Sequence, residues 1–409
     1  MKQFSDRFRA LTPIQRELLA RRLEKGPPKP HATESPATSF TLSQNGNSSP
    51  SSNSPDAGMQ FSLFFFSENG TSEGRDKYRL ILESAKYADE HGFTAIWTPE
   101  RHFQDFGGLY PNPSVLSAAI AVITSRIHVR AGSVALPLHN PIRVAEEWSV
   151  VDNLSRGRVG VSFASGWHPG DFVLSPNAYN DRKEIMFQHI GTIKKLWAGK
   201  ALKFQGVDGS DHEIKMLPTP VQKELPIWVT SSGGPQTWIR AGEIGANVLT
   251  ALIGSSSSSL AEKIALYRES LAKHGHDSQA GCVTVMLHTF LGEDISAVRE
   301  QVRKPLTSYL RTFIKQGDQL DSKTLGLDAA AVTEEDKDTV ASFAFERFFS
   351  TDSLLGTWNK CRPLVEHLKK IGVNEIACLI DFGLDADVVI AGLHHLNELR
   401  EHYSQKLNV

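Results

Sequence analysis

The sequence of 409 residues predicts an α/β fold, a (β/α)8 TIM barrel in which eight parallel strands alternate with covering helices. From residue 59 onward, short apolar runs alternate with longer stretches of helical spacing, which is the pattern of successive βα units. Most of the short runs are apolar on both faces, as strands are when helices cover the outside and side chains fill the inside. An open, doubly wound sheet is the main alternative.

The first 58 residues do not follow this pattern. Residues 1–25 contain a short amphipathic helix, Leu11–Glu24, with Thr12 as N-cap and Pro13 at its first position. Residues 26–58 are rich in Ser, Pro, Asn and Gly, and such a composition predicts a disordered linker. The helix is therefore a tethered module, either a docking element for a partner or a terminal appendage.

Residues 59–409 are predicted to form the barrel. The eight predicted strands are Gln60–Phe66, Thr94–Trp97, His128–Leu136, Arg158–Ala164, Ile227–Thr230, Asn247–Ala251, Val283–Leu291 and Glu375–Ile380. Stretches such as 78–91 and 261–274 have helical spacing and supply the cover. Two insertions interrupt the alternation: a hairpin over 202–217, which turns at Asp208-Gly209, and a helical insertion at about 299–349. Excursions of this kind over a barrel mouth often act as lids.

Composition excludes several function classes. The formal charge is -2 with mixed signs throughout, so no basic stripe is present for nucleic acid. No long uncharged apolar run and no signal peptide are present, which predicts a cytoplasmic protein without membrane insertion. The three cysteines lie far apart and lack CxxC spacing, and the histidines are scattered, so we predict neither a disulfide framework nor a metal site.

Charged and titratable residues are concentrated directly after the second predicted strand. The apolar run before Trp97 leads directly into Glu100, Arg101 and His102, followed by Phe103. Loops that follow the strands of a parallel barrel converge at one mouth, where catalytic residues are built. A structural ion pair is the alternative interpretation of Glu100 and Arg101.

The loop after the fifth strand is suited to phosphate. It offers backbone N-H groups at a helix start together with hydroxyls and close-approach glycines, from Ser231, Ser232, Gly233, Gly234 and Thr237. The alternative is an ordinary βα turn with an N-cap. Neither a P-loop nor a GxGxxG dinucleotide motif is present.

Two further strand ends carry candidate residues. The loop after the fourth strand holds Trp167, His168 and Phe172, which either pack beneath the loop or line a flat aromatic pocket. In the third strand, Gly132-Ser133 interrupts the apolar run, where glycine often marks a bulge or the close approach of a ligand.

Three long segments resemble the bacterial-luciferase-like flavin monooxygenases: WTPERHF, SVALPLHNPIRVAEEWSVVDNLSRGRVGVSFASGW and IWVTSSGGPQTWIRAGEIGANVLT. The resemblance spans about Met59 to Glu398. VSFASGWHPGDFVLSP and PIWVTSSGGPQT look like the branch associated with nonribosomal peptide and polyketide synthases. LTPIQRELLARRL is similar to the helix that joins domains of those assembly lines.

The resemblance implies a barrel that binds FMN, with the phosphate at Ser231, Ser232, Gly233, Gly234 and Thr237. Gly132, Ser133, Ala164 and Ser165 are the further cofactor-binding residues that it implies. Many relatives hold a non-proline cis peptide against the flavin ring, and Gly132-Ser133 matches that place. Ser165 stands where luciferases have a phosphate-binding arginine, so dipoles and hydroxyls would meet more of the phosphate charge.

The catalytic loop departs from the luciferase pattern. Luciferases carry two adjacent histidines after the glutamate, whereas here Arg101 takes the first place and His102 the second. Since arginine does not lose its proton at working pH, an acid or base role passes to His102, with Glu100 orienting it. Arg101 would anchor a substrate carboxylate or phosphate, or stabilise a peroxide anion. This departure argues against light-emitting oxidation of long-chain aldehydes.

The function that follows is a monooxygenase of natural-product biosynthesis. Reduced FMN from a separate flavin reductase would react with O2 to give a hydroperoxide at ring carbon C4a, and one oxygen would enter an acyl or aminoacyl group on a carrier protein. Phe103, Trp167, His168 and Phe172 would form the dry substrate pocket. The alternatives are a deazaflavin-dependent dehydrogenase and a non-catalytic flavin-binding scaffold subunit. The resemblance also implies a homodimer that pairs through the first helices.

Overall fold

A computed structural model describes residues 58–66, 76–104, 108–231, 233–252, 257–325 and 334–404, with the side chains of 312–340 and 343 excepted. The predicted N-terminal helix and nearly all of the predicted linker lie outside the described residues, and so does Ser232.

Eight parallel strands close into a barrel, which confirms the predicted fold class and excludes the open sheet. The barrel strands are β1 (Gln60–Phe64), β2 (Ala95–Thr98), β3 (His128–Ala135), β4 (Val159–Ala164), β7 (Ile227–Thr230), β8 (Asn247–Ala251), β9 (Val283–Leu291) and β11 (Glu375–Leu379). Neighbours in the barrel follow the chain order, and the pairings of β8 with β9 and of β11 with β1 complete the ring. All eight predicted strands are present, within two residues at each end.

Ten α-helices are described, and most cover the outside of the barrel. Their bounds are Arg79–His91, Pro113–Ile123, Pro141–Ser155, Arg182–Trp197, Pro235–Glu243, Ser257–Lys273, Ile295–Leu325, Glu334–Ser350, Trp358–Lys370 and Ala386–Ser404. Two of them start at an asparagine cap followed by proline: Asn112 accepts from two backbone N-H groups and Asn140 from one. Within the described residues, no helix combines the length and apolar character needed to cross a membrane.

Two insertions extend the barrel. The antiparallel strands β5 (Leu202–Gln205) and β6 (Asp211–Ile214) form a hairpin, and Gly209 adopts the positive φ that its turn requires. The helices Ile295–Leu325 and Glu334–Ser350 follow β9 and lead into the short strand β10 (Leu354–Gly356). Tyr309 of the first insertion helix is buried and packs against Phe66, just beyond the end of β1. This helix therefore covers part of the barrel mouth.

The opposite end of the barrel contains a buried ion pair. Arg130 Nη1 donates to Glu375 Oε2 at 2.7 Å, and the Glu375 side chain is 0% exposed. Trp97 Nε1 donates to the other carboxylate oxygen at 3.2 Å, and the Ser62 hydroxyl donates there too. The guanidinium lies over the rings of Trp97 and Trp228. Since Glu375 begins β11, this cluster closes the amino end of the barrel.

Candidate active site

Glu100 is the centre of the polar cluster at the barrel mouth. Its Oε1 accepts a hydrogen bond from His102 Nε2 at 2.8 Å and another from His139 Nε2 at 2.6 Å. Its Oε2 accepts from the backbone N-H of Ala135 at 2.8 Å. The side chain is only 1% exposed. The residues that follow β2 and β3 thus meet on one buried carboxylate.

The hydrogen bonds decide the charge of this carboxylate. Burial acts to raise the pKa of Glu100, but the hydrogen bonds from His102 and His139, with the charge of His139 and the Ala135 N-H, outweigh it and lower the pKa. Burial likewise acts to lower the pKa of His139, yet the hydrogen bond and charge of Glu100, helped by Glu147, raise it. Glu100 is therefore an anion at neutral pH, and it favours the cationic form of His139.

Sequence reasoning did not identify His139. It lies in the segment LPLHNPIRV, directly before the cap of the helix Pro141–Ser155. The available signal was a titratable side chain just beyond the end of a buried strand. The same signal predicts the polar residues that follow β2.

Arg101 is buried next to this cluster. Its backbone N-H donates to the Tyr110 carbonyl at 2.9 Å, and its guanidinium carbon lies 3.9 Å from the centre of the Phe66 ring and 5.9 Å from that of Trp167. Burial lowers the pKa of Arg101 to about 10, against the opposing charges of Tyr309 and Asp171. Arg101 therefore remains a cation at neutral pH, held between aromatic rings.

The loop after β4 brings a second carboxylate to the mouth. His168 Nδ1 lies 3.5 Å from Asp171 Oδ1, and Gln104 Nε2 lies 3.0 Å from His168 Nε2. Burial raises the pKa of Asp171, while its electrostatic interactions with the nearby His168, His102 and Arg101 side chains act in the opposite direction. Asp171 therefore faces the same cluster, and sequence reasoning passed over it within WHPGDF.

The three predicted pocket aromatics lie in different surroundings. Phe103 is 67% exposed, with a left-handed φ of 57° and its ring 5.5 Å from that of His102. Trp167 is partly exposed beside Arg101. Phe172 is buried with Leu138 and Ala178, which agrees with the alternative that it packs beneath the loop. Its ring packs beneath the loop and lies edge-on to the ring of Tyr179.

The loop after β7 presents an open helix start. The Ser231 hydroxyl is buried and has no hydrogen-bond partner within the described residues. Gly234 caps the helix Pro235–Glu243 without a side-chain hydrogen bond, so the first-turn N-H groups are left for another acceptor. Gly233 and Gly234 are exposed, and a Cβ at either would meet nothing within 4 Å. Thr237 lies in the first turn, half-buried.

The peptide Gly132-Ser133 is cis, as expected from the resemblance. Only glycine fits here, because a Cβ on Gly132 would lie 2.6 Å from Phe64 Cε2. The Ser133 hydroxyl is hydrogen-bonded to Thr230 Oγ1, the last residue of β7 before the Ser231 loop. Since Ala135 of the same strand donates to Glu100, β3 connects the open loop to the carboxylate cluster.

The end of β4 supplies the remaining predicted cofactor residues. Ala164 ends the strand and is paired in register with Ala135 of β3. The Ser165 hydroxyl donates to the Gly166 carbonyl at 3.4 Å, and Arg182 Nε donates to the same carbonyl at 3.3 Å. The Arg182 guanidinium therefore contacts the backbone of the residue that follows Ser165.

Comparison with known proteins agrees with this architecture. The family model described as "Luciferase-like monooxygenase" matches residues 59–375. A flavin-dependent trigonelline monooxygenase, oxygenase component, from Acinetobacter baylyi is 24% identical over 361 residues, which cover 85% of this chain and 96% of that protein.

Solved structures share the fold. The oxygenating constituent of 3,6-diketocamphane monooxygenase from Pseudomonas putida, solved in complex with FMN, aligns with a TM-score of 0.66 at 18% identity and covers 85% of this chain and 98% of that one. An F420-dependent secondary alcohol dehydrogenase aligns with a TM-score of 0.63, also at 18% identity, and covers 84% of this chain and 98% of that one.

Proposed function

Because the chain belongs to the luciferase-like monooxygenase family and is a flavin-dependent monooxygenase, we propose that its flavin is FMN, used in the reduced form together with O2. The observation that carries this proposal is the placement of Ser133 and Ala135 on one strand. Ser133 is bonded to the strand that ends at the open Ser231 loop, and Ala135 is bonded to Glu100. When bound, reduced FMN would supply the electrons that activate O2.

The residues of the Ser231 loop fit a phosphate group. The buried Ser231 hydroxyl needs a partner that the described protein does not provide, and a phosphate oxygen accepts such a hydrogen bond. The uncapped start of the helix Pro235–Glu243 offers backbone N-H groups and a favourable dipole. We assign the phosphate to Ser231, Ser232, Gly233, Gly234 and Thr237. Arg182 adds positive charge near Ser165.

The cluster around Glu100 would transfer protons to and from the substrate. An ionised Glu100 only accepts hydrogen bonds, so the bonded Nε2 of His102 carries a proton and Nδ1 is left to exchange one with the substrate. Arg101, a buried cation, would hold an anionic group of the substrate or a developing negative charge. Trp167 and Phe103 present exposed apolar surface, and a substrate that packs against it would exclude water from the reacting groups.

The substrate that we propose is an acyl or aminoacyl group bound to a carrier protein of a nonribosomal peptide or polyketide synthase. Its support is the sequence resemblance of the loops after β4 and β7. A separate flavin reductase would supply the reduced flavin, since the trigonelline relative is named as an oxygenase component. The predicted N-terminal helix would dock to the synthase.

A homodimer is also part of the proposal. Of the first three described helices, the second and third, Pro113–Ile123 and Pro141–Ser155, expose the apolar side chains Val115, Val122, Val150 and Leu154. Exposed apolar surface on two neighbouring helices is typical of a protein interface. Light scattering should give twice the mass of one chain, and Val122→Glu should return the monomer.

The oxygenation proposal has a direct test. The protein is mixed with reduced FMN, O2 and a panel of loaded carrier proteins, and the acyl group is analysed by mass spectrometry. We expect the acyl mass to rise by the mass of one oxygen atom for at least one carrier. An unchanged mass across the panel would count against a carrier-bound substrate, and a parallel panel of free acids separates that result from a lack of oxygenation.

The structural likeness to the F420-dependent dehydrogenase favours one second candidate, a deazaflavin-dependent dehydrogenase. Fluorescence titration with each flavin discriminates between the two. Tight deazaflavin binding without FMN binding would favour the dehydrogenase. A non-catalytic scaffold would instead bind flavin and show the same low rate in His102→Ala as in the unchanged protein.

A further inference from the structure

His139 is the outer of two imidazoles on one carboxylate. Its Nε2 and that of His102 both donate to Glu100 Oε1. The His139 side chain is 31% exposed, compared with 10% for His102. The two histidines therefore differ in access to solvent although they share the same acceptor atom.

The position of His139 is fixed by its neighbours along the chain. Its backbone N-H donates to the Leu136 carbonyl at 3.1 Å and ends the short 3₁₀ helix Leu136–Leu138. The next residue, Asn140, caps the helix Pro141–Ser155 by accepting from Ile142 N at 2.8 Å. His139 thus lies between two fixed elements, and its contact with Glu100 belongs to the architecture of the mouth.

A shared oxygen couples the charges of the two imidazoles. Because an ionised carboxylate only accepts hydrogen bonds, each imidazole must carry a proton on Nε2. A neutral imidazole then has Nδ1 as an acceptor, whereas a cationic one has a proton on both nitrogens. Two cations on one oxygen would repel each other, so a charge on one histidine disfavours a charge on the other.

The surroundings favour a charge on His139. Glu100 and Glu147 are the negative groups that act on it, and together they raise its pKa against the effect of burial. Its greater exposure also leaves a cation better hydrated.

The surroundings of His102 are more mixed. Glu100 and Asp171 are the negative groups that face it, and Arg101, its neighbour in the chain, is a buried cation. A second positive charge on this inner side would stand beside Arg101 with less access to water.

We propose that His139 is a positioning residue, which carries the positive charge of the histidine pair and so keeps His102 neutral, with a proton on Nε2 and with Nδ1 available to accept one. The use of Nδ1 as a base rests on the proposed function. The division of charge between the histidines does not, and it can be measured without flavin.

The first test is NMR of the flavin-free protein. Long-range ¹H-¹⁵N correlation spectra at pH 7 report the protonation of each imidazole, with assignments from His102→Gln and His139→Gln. We expect His139 to be protonated on both nitrogens and His102 on Nε2 alone. A neutral His139, or a proton on Nδ1 of His102, would overturn the proposal. This test needs no activity and uses the unchanged protein for its main result.

The second test separates charge from hydrogen bonding. His139→Gln keeps a donor and removes the charge, while His139→Lys keeps both. Without the charge, Glu100 acts on His102 alone and favours its cation, so the pH profile of oxygenation should move to higher pH by about one unit in His139→Gln. The profile should stay in place in His139→Lys. A rate that falls equally at every pH in both variants would mean a purely structural role and would overturn the proposal.

The two tests distinguish an error in the proposed function from an error in the proposed role of His139. If the unchanged protein oxygenates no substrate, the proposed function is wrong, and the NMR spectra still decide which histidine carries the charge. If oxygenation occurs but the His139→Gln profile does not move, the role of His139 is wrong and the function stands.

Discussion

The two ends of the barrel each bury a carboxylate, and the two carboxylates have different hydrogen-bond partners. At the amino end, Glu375 is paired with Arg130, and two further donors complete its hydrogen bonds. At the mouth, Glu100 is paired with two histidines. Both side chains are almost fully inaccessible to solvent. The partner of the carboxylate, and not its burial, therefore distinguishes the two ends.

The difference lies in what each partner does with a proton. Arginine keeps its charge across the physiological pH range, so the Arg130–Glu375 pair is a fixed part of the core. Histidine changes its charge within the physiological range, so the cluster around Glu100 can take up and release protons. The buried residues at the amino end of the strands contribute to stability, and those at the carboxyl end are suited to chemistry, as in other barrels of this type.

The largest expected effect is at the amino end. Arg130→Met leaves Glu375 as a buried, unpaired charge, and such a change typically costs about 3 to 5 kcal/mol of the free energy of unfolding. Urea denaturation measures the loss. The double variant Arg130→Met/Glu375→Leu should recover most of it, because no charge is left unpaired. If the single variant were as stable as the unchanged protein, the ion pair would not be the fixed element that we describe.

At the mouth, the corresponding change should affect the rate and not the stability. His102→Gln keeps a donor for Glu100 but cannot exchange a proton at neutral pH, so we expect kcat to fall about 100-fold, as for loss of an acid or base group. The midpoint of urea unfolding should stay close to that of the unchanged protein. His212→Gln, on the exposed hairpin, is the matched control and should change neither quantity.

Ser231 extends the comparison of stability and function to a buried group that carries no charge. Its hydroxyl is buried without a described partner, so Ser231→Ala should leave the stability unchanged or slightly higher. The same change should weaken FMN binding about tenfold, because a hydrogen bond to a charged phosphate is lost. Titration of flavin fluorescence measures the affinity, with Ser210→Ala on the hairpin as control. Unaltered affinity would remove Ser231 from the phosphate site.

The smallest effect is the pH dependence of stability. Since the folded-state pKa of His139 is raised, its contribution is fully present below the unfolded value of about 6.5 and is lost as pH rises through the folded value. The pKa of Glu100 is lowered, so its contribution is present above about 4.3 and is lost as pH falls through the folded value. The difference in Tm between the unchanged protein and His139→Gln should therefore shrink from pH 6 to pH 9. A difference that grows over this range would contradict the sign of the shift.

Much of the fold could be predicted because its signals are local. A strand buried on both faces is a continuous apolar run, and each of the eight runs became a barrel strand. The loop after β2 was likewise visible, because Glu100, Arg101 and His102 follow a buried strand directly. The burial of Phe172 was not, because an aromatic residue in a loop has no periodic pattern that indicates which side faces the protein.

The sequence by itself determined the parallel barrel, the two insertions and the loops that end at the mouth, because hydrophobic periodicity and turn residues act over a few positions. Only the tertiary structure decided that His139 and Asp171 join His102 around one cluster. Glu100 and His139 are 39 residues apart, and the pairing of β2 with β3 brings the ends of the two strands together. A hydrogen bond of that kind depends on the register of two strands, and no local pattern encodes it.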